Sequence, residues 1–248
     1  MKKIVIVGAS SGIGLRVAEE FAKRGVKVGL AARHTDSLKE LSGKYPGMVE
    51  YVSMDVNTPE SAEKLLHLID KLGGMDVYFH VAGIGYDNPP LEIEREVRIV
   101  ETNAVGFVRM VSAAYRYFRS EKKPGRIAAV TSVAGTKGIG DMAAYSASKR
   151  CASTYLTALE QLAIMEETDV SFTDIRPGWI RTPLLHDDQQ YPLEMSLDYV
   201  VPRIIRAIVK RERVSVIDWR WNLVVGLWRC IPNVLWVNIG GFLIRKMS

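Results

Sequence analysis

The chain has 248 residues, with 33 Lys+Arg against 28 Asp+Glu for a net charge of +5, and it is 48% hydrophobic and 25% charged. Those fractions are globular averages and exclude a disordered chain, a collagen-like repeat and a multi-span membrane protein. The length suits one large α/β domain whose core needs no staples, and Cys151 and Cys230 fall in no metal or redox spacing, so a reducing, cytoplasmic compartment is expected.

Lys2 and Lys3 precede an apolar run of four residues that ends at Gly8, too short for the core of a secretory signal. Strands are predicted at 4–7, 26–32, 48–53, 76–80, 126–131, 170–175 and 213–217, because these Val/Ile-rich runs are apolar on both faces. Helical periodicity fills the intervals 12–24, 35–43, 58–72, 94–119, 142–168 and 197–211. A β-α alternation of this kind calls for right-handed crossovers and helices on both faces of a parallel sheet. The expected architecture is α/β: one doubly wound, Rossmann-like domain of about seven strands over residues 1–217, with a Trp-rich, apolar and basic extension over 218–248.

Gly8, Ser10, Ser11, Gly12, Ile13 and Gly14 lie between the first strand and the first helix. Glycines permit the tight turn and the approach of a pyrophosphate to the backbone, and the helix N-terminus offers free N–H groups and a positive dipole end. The spacing G-x-x-x-G-x-G departs from G-x-G-x-x-G, but strand, loop and helix follow in the order a dinucleotide site requires. The second strand ends Ala32-Arg33-His34 with no acid to hold the ribose 2′-hydroxyl of NAD. Ala32 leaves room and Arg33 offers a cation suited to a 2′-phosphate, which favours NADP over NAD; a solvated loop arginine is the alternative. Asp55 and Val56 follow the third strand, as an acceptor and an apolar contact for adenine or as an ordinary turn.

Tyr145 and Lys149 are one turn apart on a predicted helix and so share a face. A free phenol, with a pKa near 10, is a poor base, and a neighbouring ammonium together with a nicotinamide cation would bring it toward working pH. Ser132 follows the fifth strand, where its hydroxyl could hold a substrate oxygen beside the phenol. Taken singly, a surface Tyr/Lys pair and a loop serine are commonplace; after a Gly-rich loop the set is specific.

Gly8-x-x-x-Gly12-x-Gly14, Asp55, Asn103, Ser132, Tyr145-x-x-x-Lys149 and Pro177-Gly178-x-x-x-Thr182 resemble, in order and spacing, the classical short-chain dehydrogenase/reductase family over residues 1 to 217. The resemblance implies Tyr145 as general acid/base and Lys149 as ligand of the nicotinamide ribose. It implies Ser132 as orienter of the reacting oxygen and Asn103 as holder of a relay water. It also places Pro177, Gly178, Ile180 and Thr182 against the nicotinamide, and Ala82 and Gly83 close to the cofactor. One departure stands out: the family's Asn-Asn-Ala-Gly is His80-Val81-Ala82-Gly83 here, so local hydrogen bonding must differ, with His80 a core or loop histidine. The four histidines form no metal spacing, and no metal site is expected.

The implied activity is hydride transfer between NADP and a small-molecule secondary alcohol or carbonyl, lipophilic if the tail meets membrane, in a homo-oligomer that does not bind nucleic acid. A cofactor-binding scaffold or membrane-docked regulator without turnover is the alternative. The polar segment 183–192 is expected to cover the substrate pocket, with Gly138, Ile139, Met142, Leu184 and Leu185 as candidate walls. Trp219, Trp221, Trp228 and Trp236 crowd the tail, where Asn222 to Ile244 carries one charge, Arg229, around Pro232. The tail reads as an interfacial membrane contact peripheral to a bilayer, as soluble packing over a dimer face or the substrate mouth, or as a span.

Overall fold

The computed structural model describes residues 1–182 and 191–239. All seven predicted strands form: β1 (Lys3–Val7), β2 (Lys27–Ala32), β3 (Val49–Ser53), β4 (Val77–His80), β5 (Gly125–Val130), β6 (Val170–Arg176) and β7 (Val214–Val216). They make one parallel sheet in the order β3-β2-β1-β4-β5-β6-β7, the doubly wound arrangement in which strand order reverses beside β1. The helices are α1 (Gly12–Lys23), α2 (Asp36–Lys44), α3 (Ser61–Leu72), α4 (Ile93–Val100), α5 (Phe107–Glu121), α6 (Ala143–Met165), α7 (Leu197–Lys210) and α8 (Trp219–Cys230), with a further helical stretch at 233–239.

Alternation along β1 shows how the core is split. Ile4 and Ile6 face one layer, with Val17 and Phe21 of α1, Leu38 of α2, Ile204 of α7 and Trp221 of α8. Val5 and Val7 face the other, with Leu65 of α3, Met110 of α5 and Leu156 of α6. Both faces are apolar because both are covered, which is why the strands read as continuous Val/Ile runs.

The expected single helix at 94–119 is divided. A π-helical turn, Glu101–Gly106, separates α4 from α5 and buries Thr102 and Asn103. A wide turn adds a residue to the helical period, so side chains that an unbroken helix would send elsewhere turn toward the sheet. Gly106 sits where a Cβ would approach the Val56 side chain to 2.8 Å, so the turn presses on the loop after β3.

Candidate active site

Loops at the carboxyl ends of β1 to β6, together with α6, line one cleft of about 350 Å³. Gly8 (φ +90°) stands where a Cβ would collide with the Ala82 backbone, and a Cβ on Gly14 would strike the Gly8 carbonyl. The first loop can therefore press against both the loop after β4 and its own helix only as glycine. Ser10, Ser11, Gly12 and Ile13 line the cleft; Gly14 lies behind them, among the packed residues. Ser11, in extended backbone, caps α1 without a side-chain bond, and no acid occupies the first turn. The leading N–H groups of α1 and its positive dipole end thus open onto the cleft, which suits a pyrophosphate. Arg33 stands exposed on the rim beside buried Ala32, its guanidinium without a partner among the described residues. Asp55 lines the wall while its Oδ1 accepts from the Asn57 N–H at 2.9 Å, so turn aspartate and cleft residue are one. Val56 lies beside it, buried.

At the other end, Ser132, Tyr145 and Lys149 meet. Ser132 Oγ accepts from the Ala134 N–H at 3.1 Å, which leaves its O–H free to donate. Burial raises the Tyr145 phenol above its ordinary value, and a hydrogen bond with Ser132 opposes that rise. Lys149 is buried, donates from Nζ to the Val130 carbonyl at 3.1 Å and lies 5.6 Å from the centre of the Tyr145 ring. Burial pulls its amine down to about 8, against the opposing pull of the Asp174 carboxylate. Within the chain itself burial prevails at the phenol, and the ammonium, over the ring, is directed at a carbonyl.

Asn103 is buried rather than on a helix surface. Its Oδ1 accepts from the Ile84 N–H at 2.8 Å, and its Nδ2 donates to the Ile84 carbonyl at 2.7 Å and to Ser148 Oγ at 3.2 Å. The amide pins the loop after β4. A Cβ on Gly83 would lie 3.1 Å from Asn103 Oδ1 and 3.3 Å from Lys149 Nζ, so a side chain here would crowd both. Gly85 likewise makes room for the Tyr145 ring. Buried His80 binds the Tyr78 hydroxyl through Nδ1 at 2.8 Å and stacks edge-on against Phe107, as a core histidine.

Pro177, Gly178, Ile180 and Thr182 line the cleft, as do Ala82 and Gly83. Of the expected substrate walls, Met142 lines it; Gly138 and Ile139 do not, because the Gly138 carbonyl instead accepts from Trp236 Nε1 at 2.7 Å. Leu184 and Leu185 lie outside the described residues. Sequence reasoning passed over Trp179, which lines the cleft and stacks on Tyr191 with ring centres 4.5 Å apart. It also passed over Asp174, a buried acid that accepts from Thr131 Oγ1 at 2.5 Å and from Arg176 Nε at 2.8 Å, although an acid within an apolar strand was a signal. The inward side of the tail packs beside the cleft: Trp221 packs on Gly178 and donates to the Leu193 carbonyl at 3.2 Å, and Trp228 donates to Thr136 Oγ1 at 2.8 Å. Among the described residues, no cluster of three or more His, Cys, Asp or Glu is placed to hold a metal.

A family match described as short chain dehydrogenase spans residues 2–192. An uncharacterized oxidoreductase of Myxococcus xanthus is 30% identical over 238 residues, 93% of each chain. The 3-oxoacyl-(acyl-carrier-protein) reductase of Vibrio cholerae is 32% identical over 196 residues, 76% of this chain and 79% of that protein. Among solved structures, an alcohol dehydrogenase from Thermococcus sibiricus complexed with 5-hydroxy-NADP is 27% identical with a TM-score of 0.73, covering 87% of this chain and 94% of that one.

Proposed function

The chain belongs to the short-chain dehydrogenase/reductase family of NAD(P)-dependent oxidoreductases, and we propose that it uses NADP to interconvert a secondary alcohol and a carbonyl, with Tyr145 as general acid/base. The observation that carries this reading is the convergence of Ser132, Tyr145 and Lys149 on the cleft that the α1 N-terminus opens. A bound nicotinamide dinucleotide supplies the hydride chemistry. The free amides at the head of α1 receive its pyrophosphate, Arg33 its 2′-phosphate, and Asp55 with Val56 its adenine. Ser132 donates to the substrate oxygen and holds it beside the phenol. At neutral pH the Tyr145 phenol, which burial raises above its ordinary value, carries the proton that carbonyl reduction draws on. Lys149 binds the nicotinamide ribose and lends positive charge beneath the ring. Asn103 and Ser148 form the inner end of a route for the replacement proton.

The likeness to a reductase of acyl-chain ketones and to an alcohol dehydrogenase bound to an NADP derivative supports the substrate class and the cofactor. A homo-oligomer in the cytoplasm is the setting we infer. The test is NADPH consumption against a panel of ketones, with Tyr145→Phe as control. Turnover should fall by at least about a thousandfold, while NADPH still quenches protein fluorescence on binding. A Tyr145→Phe enzyme close to full rate would end the assignment, and NADH binding as tightly as NADPH would end the role of Arg33.

A further inference from the structure

Helix α8 is apolar on both sides. Its inward side packs Trp221, Val225 and Trp228 against the core. Its outward side carries Trp219, Leu223 and Leu227, spaced four residues apart on one stripe and 72%, 57% and 64% exposed. Past Pro232 the exposed apolar surface continues with Val234, Leu235 and Val237. Arg220, Asn222 and Arg229 lie on the flanks between the two sides of α8, and an exposed apolar stripe of this kind marks a contact. Charge separates the candidates for that contact. Within 219–239 the cations are Arg220, which is paired with Asp218, and Arg229, which is exposed and without a partner among the described residues, and there is no acid. A two-fold dimer would set this patch against its own copy, which offers Arg229 no acid to meet, whereas a bilayer rich in anionic lipid offers it phosphates. No described helix is long and apolar enough to cross a membrane, so the contact lies in the plane of the interface.

We propose that the outward face of α8 and the exposed apolar residues of 233–239 dock on an anionic lipid bilayer. Trp219, Leu223 and Leu227 enter the headgroup region, and Arg229, exposed and without a partner among the described residues, meets the lipid phosphates. The inward tryptophans make the attachment rigid. Trp221 holds Gly178, Trp228 holds Thr136 and Trp236 holds Gly138, while Lys137 Nζ donates to the Ile231 carbonyl at 2.8 Å and Asn233 Oδ1 at 2.9 Å. The membrane-facing helix is thus fastened to the turns that follow Ser132 and Pro177, and the cleft keeps a fixed attitude to the bilayer. The proposal is independent of the redox reading.

The experiment is flotation of the full chain with vesicles of phosphatidylcholine alone, or with about one-third phosphatidylglycerol. Binding should require the anionic lipid, fall in high salt and shift tryptophan emission to the blue. The double variant Leu223→Asp with Leu227→Asp changes side chains already in solvent. It should keep its melting temperature and its ketone turnover while binding vesicles at least about tenfold more weakly. Arg229→Gln should weaken binding about fivefold. Full-chain protein that fails to float with anionic vesicles overturns the proposal, as does a double variant that still floats. A dimer that the double variant dissolves would assign the face to a second copy, and floating that depends on residues 240–248 but not on the stripe would move the contact to that segment. Vesicle binding without turnover on any ketone would sink the redox reading and leave this one standing.

Discussion

Lys149 is a buried amine whose folded pKa, about 8, lies below its ordinary 10.5. Protons therefore favour the unfolded chain: stability rises with pH between 8 and 10.5, and below 8 the full cost stands, about 3 kcal/mol at roughly 1.4 kcal/mol per unit. Part is returned by the bond to Val130. Lys149→Met should stabilise the fold by about 1–2 kcal/mol in urea titration at pH 7 while abolishing turnover; a destabilised variant would mean that the Val130 bond outweighs the buried charge. His80 has the same sign in another window. Burial, with Lys149 nearby, lowers its pKa from 6.5 to about 3. An unfolded imidazole binds its proton below 6.5 and the folded one only below about 3, so stability should fall across that range by up to about 1.4 kcal/mol per pH unit. His80→Asn should flatten this acid limb, and a slope unchanged by the substitution would exclude His80 as its source. Helix spacing joined Tyr145 to Lys149 and the strand end placed Ser132 near them, while their roles came from the family resemblance. The protonation balance was not legible, because it depends on burial and on Asp174, which lies 25 residues from Lys149 in sequence and beside its pocket only through strand pairing.

Among elements, α8 acts as a rivet. Asp218, in left-handed backbone at φ +79°, accepts from the Arg220 N–H at 2.9 Å and pairs with its guanidinium, fixing where the helix begins. The Arg220 hydrogen bond holds the Asp218 carboxyl below its ordinary range, so this anchor is in place above about pH 4 and is lost as pH falls further. From there Trp221 reaches the Gly178 turn, where a Cβ would run into the indole. Trp221→Ala should cost about 3–5 kcal/mol and lower the melting temperature by roughly 10 °C, and it should raise the Michaelis constant for NADPH as the Pro177-Gly178 turn loosens. A variant that melts at the parent temperature would show that the indole merely covers the turn. The seven strands were legible to within a residue or two because burial on both faces writes itself as Val/Ile runs. The π-helical turn at 101–106 was not, since 94–119 has an unbroken helical period that nothing in sequence interrupts, and the turn lies where Gly106 meets Val56 of a loop distant in sequence. Nor was the direction of the tail tryptophans: composition left membrane contact and packing against the protein both open, and Trp221, Trp228 and Trp236 turn inward.

Across the whole molecule, every loop at the carboxyl edge of the sheet from β1 to β6 reaches the same cleft, and the tail closes over two of them. The site is therefore a property of the sheet order: the crossover beside β1 parts the loops, and the pairing of β5 with β6 brings the turn of Ser132 beside that of Pro177, whose carbonyl accepts from the Val133 N–H at 3.0 Å. This shared enclosure gives the proposed chemistry a pH signature. The same burial that raises the phenol lowers the amine beside it. In carbonyl reduction Tyr145 must carry its proton, which it does through neutral pH, while Lys149 loses its charge near 8. The value of kcat/KM for reduction should be level from about pH 6 to 7.5 and fall through one ionisation near 8. Alcohol oxidation needs the phenol deprotonated to accept, so its rate should climb as pH rises over the interval in which reduction declines. Initial rates in both directions on one alcohol–ketone pair check this directly. A reduction rate that increased with pH would remove Tyr145 as the donor, and a reduction profile flat to pH 10 would remove the Lys149 charge from the chemistry.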